Sequence, residues 1–124
     1  MRQIRITAGS VTAIADLADN ATADAVWEAL PIKEQANTWG DEIYLGIPVF
    51  LEAAVDAREA VAVGELAYWP PGHAFCIFFG RTPASQGDEP RAASAVNVFG
   101  RLAGDATVFR QVASGETVFI ERIE

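Results

Sequence analysis

Cysteine, histidine and lysine each occur once in these 124 residues, as Cys76, His73 and Lys33. A single thiol cannot close an internal disulfide. One thiol with one imidazole cannot complete a structural zinc site either. Basic residues number 9 against 17 acidic ones, a net charge of −8. A nucleic-acid binder needs a clustered basic face to neutralise phosphates, and an anionic membrane surface attracts the same feature. No basic run is present, so neither partner is expected. Long apolar runs are missing as well. The longest, Ala74 to Phe79, falls far short of the roughly 20 residues a membrane helix requires. The first residues, Met1 to Val11, alternate polar and apolar side chains and contain no apolar signal core. A reducing cytoplasm is therefore the expected compartment. No metal or organic cofactor is indicated.

What is present is a globular composition. Hydrophobic residues make up 51% and charged residues 21%, which excludes disorder of the whole chain. The length suits one domain, 1–124, with a self-sufficient core. A homodimer that covers part of so apolar a surface is kept as a candidate assembly.

Alternation along the chain predicts strands. Ile4 and Ile6 alternate with Arg5 and Thr7, then Ala8-Gly9-Ser10 makes a tight turn. Val11, Ala13, Ala15 and Leu17 line one face of a second strand. Asn20 or Thr22 caps a following helix whose stripe is Ala25, Val26, Ala29 and Leu30, ended by Pro31. Ile43, Leu45, Ile47 and Val49 share a face of a strand over 42–49, and Leu51 to Ala60 is ambiguous between helical turn and loop. Strands over 61–69 and 74–79 are joined by Pro70-Pro71-Gly72, and the second is apolar on both faces. Residues 81–94 read as a long exposed loop with a solvated tip at Asp88-Glu89. A strand over 95–102, a short helix over 106–113 capped by Asp105 and ended by Gly115, and a strand over 117–123 complete the chain. Mainly β structure in a closed barrel capped by two short helices is the expected architecture.

The order of motifs resembles the cyclophilin family. Gly64-Glu65-Leu66-Ala67-Tyr68, Gly72-His73-Ala74-Phe75-Cys76-Ile77 and Thr82-Pro83 resemble its "G-x-(I/L)-A-M … G-S-Q-F-F-I … P" region. Asn97-Val98-Phe99-Gly100-Arg101-Leu102 with Asp105 and Val108 resembles the "V-F-G" element before the last helix, and residues 20–26 resemble the first-helix pattern. The likeness is closer still to the small bacterial and archaeal cyclophilin-like branch. It is carried by Thr38 to Val49 ("R-W-G-D-E-I-Y-F-x-I-P-V") and by Val63 to Pro83 ("V-G-D-L-A-Y-W-P-P-G-x-A-x-C-I-F-F-G-x-T-P"). The resemblance implies an eight-stranded barrel with a helix over each open end, and no particular reaction.

Departures from true cyclophilins concern the isomerase chemistry. Those enzymes lower the roughly 18–20 kcal/mol barrier of peptide-bond rotation. They do so with an arginine on a "F-H-R-V-I-P" strand. Aligned on Ile47-Pro48, that arginine position holds Leu45 and the preceding histidine position holds Tyr44. The pocket glutamine falls on Ala74, the pocket phenylalanine on Cys76 and the late histidine on Val96, and no tryptophan follows Trp69. The usual isomerase chemistry is not expected.

The remaining candidates for a site are aromatic. Tyr44, Tyr68 and Trp69 suit the lining of a ligand groove and ordinary barrel packing or a rim equally, Phe78 joins them in the groove reading, and Arg101 is an anion-binding residue or a surface ion pair, the surface pair being favoured. Glu42 and Tyr44 share the face opposite Ile43 and Leu45. They are the acid–base candidates, although solvated surface is the favoured role for Glu42. Asp41 and Glu42 point to opposite faces and form no local pair. Trp39 suits a cover over the barrel end better than a lid, Cys76 reads as a buried inert thiol, and His73 as an exposed turn residue. Three function classes follow: a barrel that binds a peptide segment or small molecule without isomerase chemistry, which is favoured; a residual or atypical prolyl isomerase; and an enzyme of another class using Glu42 and a tyrosine.

Overall fold

Gly9, at φ +59°, closes the hairpin between β1 (Gln3–Ala8) and β2 (Val11–Leu17). This is the turn its sequence predicts, because glycine reaches positive φ without a Cβ penalty. The computed structural model describes residues 2–124. After β2 come α1 (Ala21–Ala29), β3 (Ile32–Gln35), β4 (Asn37–Thr38) and β5 (Glu42–Gly46). Then follow β6 (Arg58–Ala60), β7 (Glu65–Trp69), β8 (Ala74–Phe78), β9 (Arg91–Leu102) and β10 (Thr117–Ile123). Asn20 is the cap of α1: its Oδ1 accepts from the Ala23 N–H at 2.9 Å, while its Nδ2 donates to the Val98 carbonyl at 3.1 Å. The second predicted helix is a 3₁₀ segment, Ala106–Gln111, with Asp105 accepting from the Thr107 N–H at 2.9 Å. It ends at Val112, and Gly115 lies farther on, at φ +92°, in the turn into β10.

The sheet is antiparallel and runs β3-β10-β1-β2-β9-β7-β8-β5-β4, with β6 pairing to β9. The expected closed eight-stranded barrel is corrected here. Ten strands are present among the described residues, and the ladder does not return to its first strand. The reason lies at Ala36. Its N–H donates to the Glu116 carbonyl and its own carbonyl accepts from the Gly115 N–H, both at 2.8 Å. The chain before it pairs with β10 and the chain after it with β5. One bent segment thus supplies both ends of the sheet, and covalent continuity stands where a ladder would close it. The alternation signal is weak there, because Lys33, Glu34 and Gln35 are all exposed.

Two apolar layers result. Ile4, Ile6, Ile43, Leu45, Leu66, Tyr68, Phe75, Ile77, Phe99, Phe109 and Ile120 belong to the main core. On the opposite face of β7 and β8 a smaller cluster gathers Ala67, Ala74, Cys76 and Phe78 with Val61, Ala92 and Val96. β8 is buried at all five positions, as its unbroken apolar run predicts. The small cluster exists because the first half of β9 pairs with β6 and covers that face, while its second half pairs with β7 and β2. The expected exposed loop is found over 81–90, with Gln86 to Asp88 exposed, and is corrected at 91–94, which open β9. β9 begins at Arg91, Thr82 is buried, and the Glu89 carboxylate accepts from the Gln86 and Gly87 N–H groups. Local hydrogen bonds order a segment whose composition reads as loop. Between Leu51 and Ala60 the chain is irregular until β6, and Asn97 fixes its start by donating to the Glu52 carbonyl and accepting from the Ala54 N–H.

Candidate functional site

The turn between β4 and β5 builds one side of the site. Gly40, at φ +61°, takes the first central position of a two-residue turn, and the Trp39 N–H donates to the Glu42 carbonyl at 2.9 Å. A Cβ on Gly40 would lie 2.9 Å from the Arg81 carbonyl oxygen, so glycine is required there on two counts. Asp41 leaves on the far side toward Arg110, at 3.5 Å. Glu42 and Tyr44 project from β5 on the face opposite Ile43 and Leu45, as alternation predicts.

The other side comes from β7 and β9. Trp69 ends β7, and its indole N–H donates to Ser94 Oγ at 2.7 Å. Its ring also lies over Gly72, where a Cβ would sit 2.7 Å from Cε3 and Cζ3. Together Trp39, Tyr44 and Trp69, with Ala92 and Ala93 of β9 and Glu42, line a recess of about 190 Å³. The three aromatics are half-buried. Glu42 is only 5% exposed, which corrects its expected place on a solvated surface. Trp39 lines the recess rather than covering an end of the sheet.

Burial governs the chemistry of this recess. Loss of hydration pushes the Glu42 carboxyl up to about 7, and the neighbouring Cys76 thiol opposes that rise. Cys76 stands directly opposite Tyr44 across the β5–β8 ladder. Its thiol is pushed well above its ordinary value, first by burial and then by the neighbouring Glu42 charge. Cys76 is thus an inert buried thiol, and Glu42 is a carboxyl poised between its two protonation states near neutral pH.

The remaining groove candidates separate. Phe78 is fully buried in the small cluster, opposite Glu42 in the ladder. Tyr68 belongs to the main core, because it is adjacent to Trp69 in a strand and so faces the other way. Its hydroxyl donates to the Val49 carbonyl at 2.6 Å and accepts from the Leu51 N–H at 3.1 Å, which makes it a fastening for the chain after β5. Arg101 stands opposite Glu65 and Asp16 in the ladder and is exposed, and the favoured surface ion pair is corrected: none of the seven ion pairs among the described residues includes it. It lies three strands from Glu42, about 14 Å at usual strand spacing. Leu45, at the position aligned with the isomerase arginine, is fully buried in the core, and no guanidinium lines the recess among the described residues. His73 is exposed at φ +48°, with its ring 4.7 Å from that of the exposed Phe50, and it borders other, more open depressions. No group of three or more His, Cys, Asp or Glu side chains suited to a metal occurs among the described residues. No helix there is long and apolar enough to cross a membrane.

Sheet and recess define a small β-rich domain with an aromatic, carboxyl-bearing hollow on one face of an antiparallel sheet. A family model described as cyclophilin-like matches residues 2–121. The chain belongs to the cyclophilin-like family. Among solved structures, it is similar to the solution structure of the hypothetical protein AF2241 from Archaeoglobus fulgidus. The two share 41% sequence identity with a TM-score of 0.83, over 98% of this chain and 95% of that one. No curated protein matches the chain.

Proposed function

We propose that this cyclophilin-like domain is a binding module. It holds a small molecule or a peptide side chain in the Trp39–Tyr44–Trp69 recess, without the usual prolyl-isomerase chemistry. One observation carries this reading: three half-buried aromatics converge on a hollow of about 190 Å³ with a buried carboxyl in its lining. Apolar walls with a few placed polar groups are the general form of a small-ligand site. Folding alone has no use for an ionisable group there, since its desolvation costs stability. The absence of an isomerase guanidinium follows from Leu45, whose side chain is committed to the core.

Two measurements test the reading. Amide and indole NMR shifts are followed while N-acetyl amino-acid amides with apolar, aromatic and amine side chains are added to millimolar concentration. Binding is expected to move Trp39, Tyr44, Trp69, Ala92 and Ala93 together, and a set that moves none of them refutes it. A protease-coupled proline-peptide assay is expected to give the uncatalysed rate at every protein concentration. A rate that grows with protein concentration would reinstate the isomerase.

A second reading is supported by Glu42, whose carboxyl near 7 suits general acid–base work. In it, the same recess is an active site in which Glu42 moves a proton and Tyr44 orients the substrate. Turnover of any recess ligand that disappears in Glu42→Gln would favour this reading over simple binding.

A further inference from the structure

The Glu42 carboxyl lacks a counter-charge. No Lys, Arg or His nitrogen lies within 4.0 Å of it among the described residues, although seven other ion pairs form there. The neighbouring Cys76 thiol donates its one hydrogen elsewhere, to the Ala74 carbonyl at 3.8 Å. No buried side-chain oxygen among the described residues is left without a partner. Since no N–H or O–H reaches the Glu42 carboxyl, its oxygens open onto the recess. The groups around that opening are Trp39, Tyr44 and Trp69, whose ring faces carry partial negative charge.

These features select among ligand classes. A phosphate or carboxylate would meet a carboxyl, aromatic faces and a chain of net charge −8, so it is repelled at every range. A neutral apolar group would fill the hollow yet seal Glu42 away from water without a partner, which is costly. A cation with an apolar shell satisfies both parts: aromatic faces attract it through their quadrupole, and the carboxylate pairs with it directly. Size agrees. About 190 Å³ is room for roughly six water-sized groups at about 30 Å³ each, which fits an ammonium head with a short alkyl stem.

We propose that the recess is an organic-ammonium site, in which Trp39, Tyr44 and Trp69 surround an alkylammonium group and the Glu42 carboxylate pairs with it. The proposal rests on the binding reading above and names its ligand class. The ammonium can be borne by a free amine or by a lysine-type side chain of a peptide, since both present the same head. As the cation enters, it draws the Glu42 carboxyl back toward its ordinary ionisation range, because a nearby positive charge favours the carboxylate.

The test uses the full chain at pH 7.5 and constant ionic strength, with three probes followed by the Trp39 and Trp69 indole NMR signals. These are n-butylammonium, N-acetyl-lysine methylamide and the neutral analogue N-acetyl-norleucine methylamide. At least one ammonium probe is expected to bind about tenfold or more tightly than the neutral analogue. Glu42→Gln, which keeps the shape and removes the charge, is expected to abolish that preference. Binding of butylammonium without the lysine derivative assigns a free amine, and binding of the lysine derivative alone assigns a peptide side chain. Binding of both supports a site for the shared ammonium head. If the neutral analogue binds as well as the ammonium probes, or Glu42→Gln leaves the preference intact, the ammonium proposal falls while the binding module stands. If no probe here or in the wider amide set moves either indole, both fall.

Discussion

Trp69 and Ser94 are joined by a 2.7 Å hydrogen bond from the indole N–H to Oγ, and this bond ties the end of β7 to the part of β9 that walls the recess. The same ring rests on Gly72, which leaves it no room for movement in that direction. Position 72 therefore controls the recess from outside it.

Gly72→Ala places a methyl 2.7 Å from two ring carbons of Trp69, so the indole must move. A stability loss of about 1–3 kcal/mol is expected from the overpacking. Trp69 should also change its fluorescence, and the recess should lose affinity for any ligand it binds. A variant with unchanged emission and stability would show that the ring is not held there.

Glu42 makes the folded state bind a proton more tightly than the unfolded chain, because burial raises its carboxyl from 4.5 to about 7. Its contribution to stability is fully present below about pH 4.5. It is lost as pH rises from 4.5 through about 7, and only above 7 is the cost of a buried charge complete, on the order of 3 kcal/mol. Glu42→Gln is expected to stabilise the protein at pH 8 and to flatten denaturation midpoints between pH 4.5 and 7. Glu89 and Asp105 act in the opposite sense at lower pH. Both are held down, Glu89 first by the Gln86 N–H and Asp105 first by the Thr107 side chain. The difference between wild type and variant isolates Glu42. A variant whose midpoint follows the wild-type pH profile would contradict its buried ionisation.

Tyr68→Phe removes the hydroxyl that bonds Val49 and Leu51, leaving their backbone groups unpaired in a part-buried place. A loss of about 1–3 kcal/mol is expected, with faster amide exchange at Leu51. Ligand binding in the Trp39 recess should be kept, since Tyr68 faces the other side of the sheet. Loss of binding at full stability would place Tyr68 in the site after all.

Cys76 is expected to resist thiol-specific alkylation in the folded protein at pH 8, because burial keeps it protonated and out of reach. Its modification rate should follow global unfolding measured by denaturant. Rapid labelling under native conditions would disprove the inert assignment.

Much of the fold was legible from short-range pattern. The alternation of Ile4 and Ile6, the Gly9 turn, the Asn20 cap and the unbroken apolar run of β8 each state a local preference that the structure keeps. Residues 32–38 were not legible. Their side chains are mostly exposed, and their strand character comes from partners at opposite ends of the sheet, brought together around Ala36. The Ala106–Gln111 segment shows the same limit, since its cap was readable and its 3₁₀ geometry was not.

For the site, the sequence by itself determined which face each β5 residue takes, and so put Glu42 and Tyr44 together opposite the core. It determined the scarcity of basic residues and the leucine at the position aligned with the isomerase arginine. Tertiary structure alone decided that Glu42 is buried, in a recess whose other lining residues include Ala92 and Ala93, from a strand some fifty residues later in the chain. It also decided that Trp39 and Trp69 meet in one recess while Tyr68 and Arg101 lie elsewhere. A side chain's face follows from strand periodicity, a property of near neighbours. Its exposure depends on which distant segment folds over that face, and a carboxyl written like any surface residue becomes a buried group only through that crossing.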